Sequence, residues 1–403
     1  MASTFSWLDS SERDRKRALD VIDLFEVRDT RDELGMGSTR DAWADLLVPA
    51  TSTIQTRARY FLFVPWIYQR LAERKVSPEK VARKAHQAEI NLISAIKSTD
   101  AGAVPIGALA GKGLQRLPSS IYWNGMRKLR ILLSNGSIEQ FHRSFRKNGR
   151  ASLGMGEDEH QALSQWSPHL PKAPTGFPDT VRLELEREEA EYLRHQWVHH
   201  CNGSLMAFLL EWEGEQVDHL QFPWQHPGIE DMHESLQGWL IHARNFSTLV
   251  HGAALLYNLM LAEQCVVKLQ RFEQAVDKFK GRLVEWRAEV DKIQLDLESW
   301  DRKEFWAIGR RENPRLPVTS ETFLDAWFHC VFRAGSLTEL IQDQSTRELI
   351  RNRERSLKRS RARLWSIEHL QRWSGDAGSS QMDFRWGITK RLVRDIRDGL
   401  GES

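Results

Sequence analysis

Between residues 255 and 300 the side chains Leu255, Leu259, Ala262, Cys265, Leu269, Phe272, Val276, Phe279, Leu283, Trp286, Val290, Ile293, Leu297 and Trp300 recur in alternating steps of four and three. Steps averaging about 3.5 residues hold one apolar seam on one side of a helix, here for about six heptads. The pattern predicts a continuous helix over about 250–303, roughly 65 Å long at ~1.5 Å per residue. A seam of that length needs a partner helix, supplied by the same chain or by a second copy. Residues 337–373 offer one, because Ile350, Leu357 and Leu364 also recur every seven. Strand signals are scarce: Val181–Leu185 alternates over too few residues to outvote helix. The expected fold class is mainly α and multi-helical. Its long heptad-patterned helix (about 250–303) packs as an antiparallel coiled coil or bundle.

Capping residues and punctuation divide the rest. Ser10 or Ser11 caps an amphipathic helix over 11–27. Ser38 opens a short helix to Leu47, which Pro49 ends. An aromatic-rich helix follows over Thr56–Arg74, and Pro78 opens another to about Lys97. Residues 98–120 are glycine-rich loop, before a helical stretch around Ile121–Leu133. Gly154, Gly156, Pro168, Pro171, Pro174 and Pro178 then mark a linker. Further helices are expected at 181–200, 203–213 and from near Glu230. The expected organisation is a basic helical domain over 1–150, a Pro/Gly-rich linker over 151–178, and a helical domain over 179–403 that carries the long helix and a basic C-terminal helix.

Charge is segregated. The net +2 of the whole chain hides +13 in residues 51–150, −11 in 151–250 and +6 in 351–403. Such asymmetry fits a basic surface for a polyanion, or basic and acidic segments that pair within the fold. Three cysteines make no disulfide framework and fit reduced thiols in a cytosol. The N-terminus lacks the basic start and apolar core of a signal peptide. The longest apolar run, Leu249–Ala262, is about 14 residues and reads as a core helix, since a membrane span needs about 20. A cytoplasmic protein away from membranes is expected.

Most chemical motifs fail on inspection. The loop GALAGKG (107–113) has three residues between its glycines where a phosphate loop needs four, and Gly113 stands where a Ser or Thr would hold Mg²⁺. His195 and His199 lie four apart on a helix face and could chelate a metal, with His200 and Cys201 following, but the metalloprotease glutamate after His195 is missing. Asp179 with Glu184 and Glu186 lacks the lysine that a restriction-type nuclease sets beside its acids. No cofactor is indicated.

The basic residues carry the strongest clue. Arg347, Arg351, Arg355, Arg359 and Arg363 are spaced four apart and would form a stripe on one helix. Like charges at that spacing repel unless phosphates or acids offset them. Arg57 and Arg59 stand near a predicted helix start, where N–H groups favour anions. Arg127, Lys128, Arg130, Arg143, Arg146 and Lys147 add to the basic block with only Glu139 opposing. Phosphate contacts of this kind bind nucleic acid with little sequence preference.

FSWLD (5–9), RDELGMGSTRDAWADLLVPATSTIQTRARYFLFVPWIY (31–68), RLPSSIYW (116–123), REEAEYL (187–193), GSLMAFLL (203–210) and DFRW (383–386) resemble a bacterial family known as a domain of unknown function. Members of that family sit among antiviral defence genes. The resemblance implies that setting and carries over no catalytic residue. The expectation is a non-enzymatic, mostly helical defence component that binds nucleic acid, DNA before RNA, through its Lys/Arg surfaces alongside other defence proteins. The alternatives are a scaffold or homodimer built on the heptad helix, and a nuclease-like enzyme with an unrecognised site.

Overall fold

The computed structural model describes residues 33–99, 105–108, 113–114, 116–145, 165–214 and 219–402. The predicted helix at 11–27, Arg146, Lys147 and much of the 107–113 loop lie outside the described residues. The described chain is mainly α: sixteen α-helices and a single isolated antiparallel bridge, Leu132 with Trp166. It forms two compact units. One holds residues 33–42 and His242–Met382; the other holds Trp43–Ile241 and Asp383–Ser403.

The second unit is built around α2 (Tyr60–Glu73), which follows α1 (Gly37–Leu47). Eleven consecutive or near-consecutive residues of α2, from Tyr60 to Ala72, are buried, so the helix is apolar all round and forms the centre of a core. Next come α3 (Pro78–Thr99), α4 (Pro118–Lys128) and α5 (Ile138–Ser144). Tyr122 of α4 ties down the stretch before α2: its hydroxyl accepts from the N–H groups of Thr56 and Arg57 and donates to the Arg57 carbonyl. The described part of the Pro/Gly-rich stretch, 165–178, is packed rather than loose. Phe177 lies against Phe63 and Trp66, and Trp66 donates to the Pro171 carbonyl. Helices α6 (Arg187–His200) and α7 (Leu205–Glu211) follow. Far along the chain, α16 (Trp386–Leu400) returns to pack on both.

In the first unit the helix expected over about 250–303 is not continuous. It is split into α8 (Glu234–Leu269), α9 (Glu273–Lys292) and the short α10 (Gln294–Glu298). Gln270 and Phe272 take left-handed backbone angles, φ 52° and 66°, and the chain turns back there. Trp286 of α9 then lies on Gly252 of α8 and donates to the Thr248 carbonyl at 2.7 Å. Leu255, Leu259, Phe279, Leu283, Trp286 and Val290 are buried in this way, α9 lying back along α8. Asn258 locks α8 further, exchanging 2.8 Å hydrogen bonds with both the N–H and the carbonyl of Ala377. The apolar window of α8 is long enough to cross a membrane, but 67% of it is buried within the protein, as befits a core helix.

Gly252 makes a test of this packing. A Cβ there would stand 2.2 Å from the Trp286 ring. Alanine normally favours a helix interior over glycine by about 1 kcal/mol. Gly252→Ala is expected to reverse that sign and cost about 1–3 kcal/mol by forcing the indole aside; a urea titration giving a more stable variant would refute the close approach.

The predicted partner helix over 337–373 is also broken. After α11 (Arg302–Glu312) and α12 (Val318–Arg333) come α13 (Leu337–Gln342), α14 (Gln344–Lys358) and α15 (Ile367–Gln371). Helix α14 stops where Arg359 adopts φ 51°. The stripe of five arginines therefore does not lie on one helix.

Candidate nucleic-acid interface

The predicted basic residues divide sharply once placed. Arg59 is 4% exposed and donates to Glu189 at 2.7 Å and to the Arg182 carbonyl. Arg57 donates through Nε to both oxygens of the buried Asp395, with Glu184 nearby at 3.8 Å. These guanidiniums are held by carboxylates and a carbonyl of the second unit. Arg347 pairs with Glu263 and Arg363 with the buried Glu33. Arg351 and Arg355 lie over the Trp365 ring. Arg143 is exposed at the end of α5.

Arg127, Lys128 and Arg130 are brought together. They line a cleft of about 670 Å³ with Asn124, Asn135, His199 and His200, and no carboxylate is among the described residues that line it. The cleft is formed by the way two helices end. Helix α4 buries Ile121, Tyr122, Trp123 and Met126, which leaves Asn124 and Lys128 outward. Gly125 permits the close approach of α4 to the Ala50 carbonyl, which a Cβ would meet at 2.5 Å. The last turn of α4 closes with the N–H groups of Ile131 and Leu132 both donating to the Met126 carbonyl. That closure forces Arg130 to φ 55°, a position that glycine fills at no steric cost.

Helix α6 delivers the histidines. Gln196, on its buried side, donates to the Leu129 carbonyl at 2.7 Å, so the last turn of α6 is pinned to the end of α4. His199 and His200 follow directly, their rings 4.7 Å apart, and His195 stacks on His199 at 5.5 Å. Burial, with the positive fields of His199, Arg130 and His195, holds the His200 imidazole below the usual histidine range. It is neutral near pH 7 and offers a hydrogen bond rather than a charge. No set of three His, Cys, Asp or Glu residues converges among the described residues, so His195 and His199 gather no third metal ligand there. Burial also pushes the neighbouring Cys201 thiol up to about 11, which keeps it a protonated core group.

Three cations this close repel one another. Both helices point their carbonyl ends at the cleft, and each such end favours a cation by about 0.3–1 kcal/mol. The Nε of Arg127 remains buried without a hydrogen-bond partner, so the helix ends do not satisfy the cluster fully. The cleft can hold oxyanions, with Asn124 and Asn135 as neutral donors beside the charges. Among the described residues it supplies no carboxylate to grip a divalent cation or act as a general base. The sequence reading found the three cations and His199 separately; Asn124, Asn135 and the role of His200 emerge only from the pinning of α6 on α4.

The described residues thus define a mainly helical protein with a cationic, carboxylate-free cleft at the meeting of two helix ends. The chain belongs to DUF6361, a family of unknown function, which matches residues 2–400. No curated protein and no solved structure matches it.

Proposed function

We propose that this protein is a non-enzymatic nucleic-acid-binding component that holds the phosphate backbone of DNA in the Arg127–Lys128–Arg130 cleft, with little regard to sequence. The observation that carries the reading is the cleft lining itself: three cations, two amides and two histidines, with no opposing carboxylate among the described residues. Lysine and arginine contacts to phosphate release counterions, so affinity falls steeply with salt. The setting is that of bacterial antiviral defence, as the sequence resemblance implies.

Arg130 gives the sharpest test, because its fold and ligand roles point in opposite directions. A left-handed non-glycine residue costs about 1–2 kcal/mol. Arg130→Gly is therefore expected to stabilise the fold by about 1 kcal/mol and yet weaken binding of a fluorescein-labelled 20-base-pair duplex. Fluorescence polarisation at several salt concentrations should show a log–log slope smaller by about one for each cleft cation removed. A duplex that fails to bind at low salt, binds indifferently to salt, or binds Arg130→Gly as it binds the native protein would sink the proposal. A plaque assay with the same variant tests the defence setting separately.

A further inference from the structure

Trp365 stands apart from the other tryptophans. It is 46% exposed, while the large rings elsewhere among the described residues are buried or half-buried. Nor is it a loose side chain. Its indole N–H donates to the Arg351 carbonyl at 3.2 Å, and its backbone N–H to the Ala362 carbonyl at 3.2 Å. The Arg355 guanidinium lies 4.2 Å from the ring centroid and that of Arg351 at 5.8 Å. Of the acids near this stretch, Glu263 pairs with Arg347, Glu33 with Lys358 and Arg363, Glu354 accepts from Tyr257 and from the N–H groups of Arg363 and Leu364, and Glu348 accepts from Gln344. Arg351, Arg355 and Arg359 form no ion pair among the described residues, and the Nε of Arg351 is buried without a hydrogen-bond partner.

Leaving nearly half an indole in water forfeits the gain that burying it would bring. A positioned, exposed ring beside unpaired guanidiniums matches one kind of ligand well: a flat π-face carried on a chain of phosphates. Unpaired bases stack on tryptophan rings and on arginine planes alike. In a duplex those faces are already stacked and hidden. We propose that Trp365, with Arg351 and Arg355, is a stacking platform for single-stranded nucleic acid. The base lies on the indole or on the guanidinium above it, and the neighbouring phosphates meet the arginines. The platform belongs to the first unit and takes a different form of ligand from the cleft, so it does not rest on the cleft reading.

The probes are a fluorescein-labelled oligothymidylate of twenty nucleotides, its oligouridylate counterpart, and a duplex of the same length. At low salt Trp365→Ala is expected to weaken binding of the single strands about tenfold, the effect of losing one stacked base. Trp365→Phe keeps a π-face and should stay within about threefold of the native protein. Duplex binding should not follow Trp365, and Arg130→Gly should leave the Trp365→Ala difference intact. Should Trp365→Ala fail to fold, Arg355→Ala replaces it with the same strand-selective loss expected. Single strands that do not bind, equal strand affinity with and without the indole, a loss in the Phe variant as large as in Ala, or an equal loss for duplex would each overturn the proposal.

Discussion

Glu33→Gln is expected to lower the stability of the first unit by about 3–5 kcal/mol, the cost of leaving buried charges without their counter-charge. Glu33 is 4% exposed and is the shared anion of two cations. Lys358 meets one of its oxygens and Arg363 the other, the latter at 2.7 Å. The Tyr257 hydroxyl, with one proton to give, lies 2.7 Å from Glu354 and 3.1 Å from Glu33 and donates at the shorter distance to Glu354. Burial, reinforced by these two carboxylates, keeps the Tyr257 phenol well above its usual range, so it stays a donor. A glutamine would fit the space and remove the charge that Lys358 and Arg363 share. The urea midpoint measures the loss. Glu33→Leu combined with Lys358→Leu should recover part of what Glu33→Leu alone loses, because the unpaired charge causes the damage. A Glu33→Gln midpoint within error of the native one would show that the cations find water instead.

The same cluster explains why the arginine stripe could not be read from spacing. Glu354, fully buried, accepts from the N–H groups of Arg363 and Leu364, so the chain past Lys358 is drawn back onto α14 and the helix ends. Four-residue spacing predicts a stripe only if the helix continues. The break at 270–272 was equally hidden: Gln270, Arg271 and Phe272 include no glycine or proline, and the turn is fixed by tertiary contacts such as Phe272 on Trp373 at 5.1 Å. Where local chemistry decides, the sequence was legible. Pro78 opens α3 as expected, and α1 ends at Leu47, just before Pro49. Charge segregation was legible but its destination was not. The partners of Arg57 and Arg59, Asp395 and Glu189, lie far away in the chain, and no spacing rule joins them. The cleft cations Arg127, Lys128 and Arg130 were visible as a run; that they meet the end of α6 depends on the Gln196 hydrogen bond.

Stability should also fall as pH rises from about 4.5 to about 7, and Glu89→Gln should abolish most of that fall. Glu89 sits on α3 at 1% exposure, one oxygen accepting from the Ser119 N–H at 2.7 Å and the other without a partner. Burial pushes its carboxyl up from 4.5 to about 7, against the smaller pull of the Ser119 hydrogen bonds. Tyr68 is buried beside it and is itself held well above the usual phenol range, by burial first and by Glu89 second, so it lends no charge to relieve the acid. A carboxyl raised in the folded state contributes its stability in full below about 4.5, where both states are protonated. Between 4.5 and about 7 the unfolded chain ionises and the folded one resists, so stability declines and levels off above. At ~1.4 kcal/mol per unit, the decline amounts to about 3 kcal/mol. Glutamine keeps the acceptor for Ser119 and cannot ionise. Glu89→Gln should therefore match the native protein near pH 4.5 and exceed it at pH 8 by up to about 3 kcal/mol. Urea midpoints across that range decide the matter: parallel profiles for the two proteins would mean that Glu89 ionises in the fold as easily as in water, and that its buried oxygen is solvated after all.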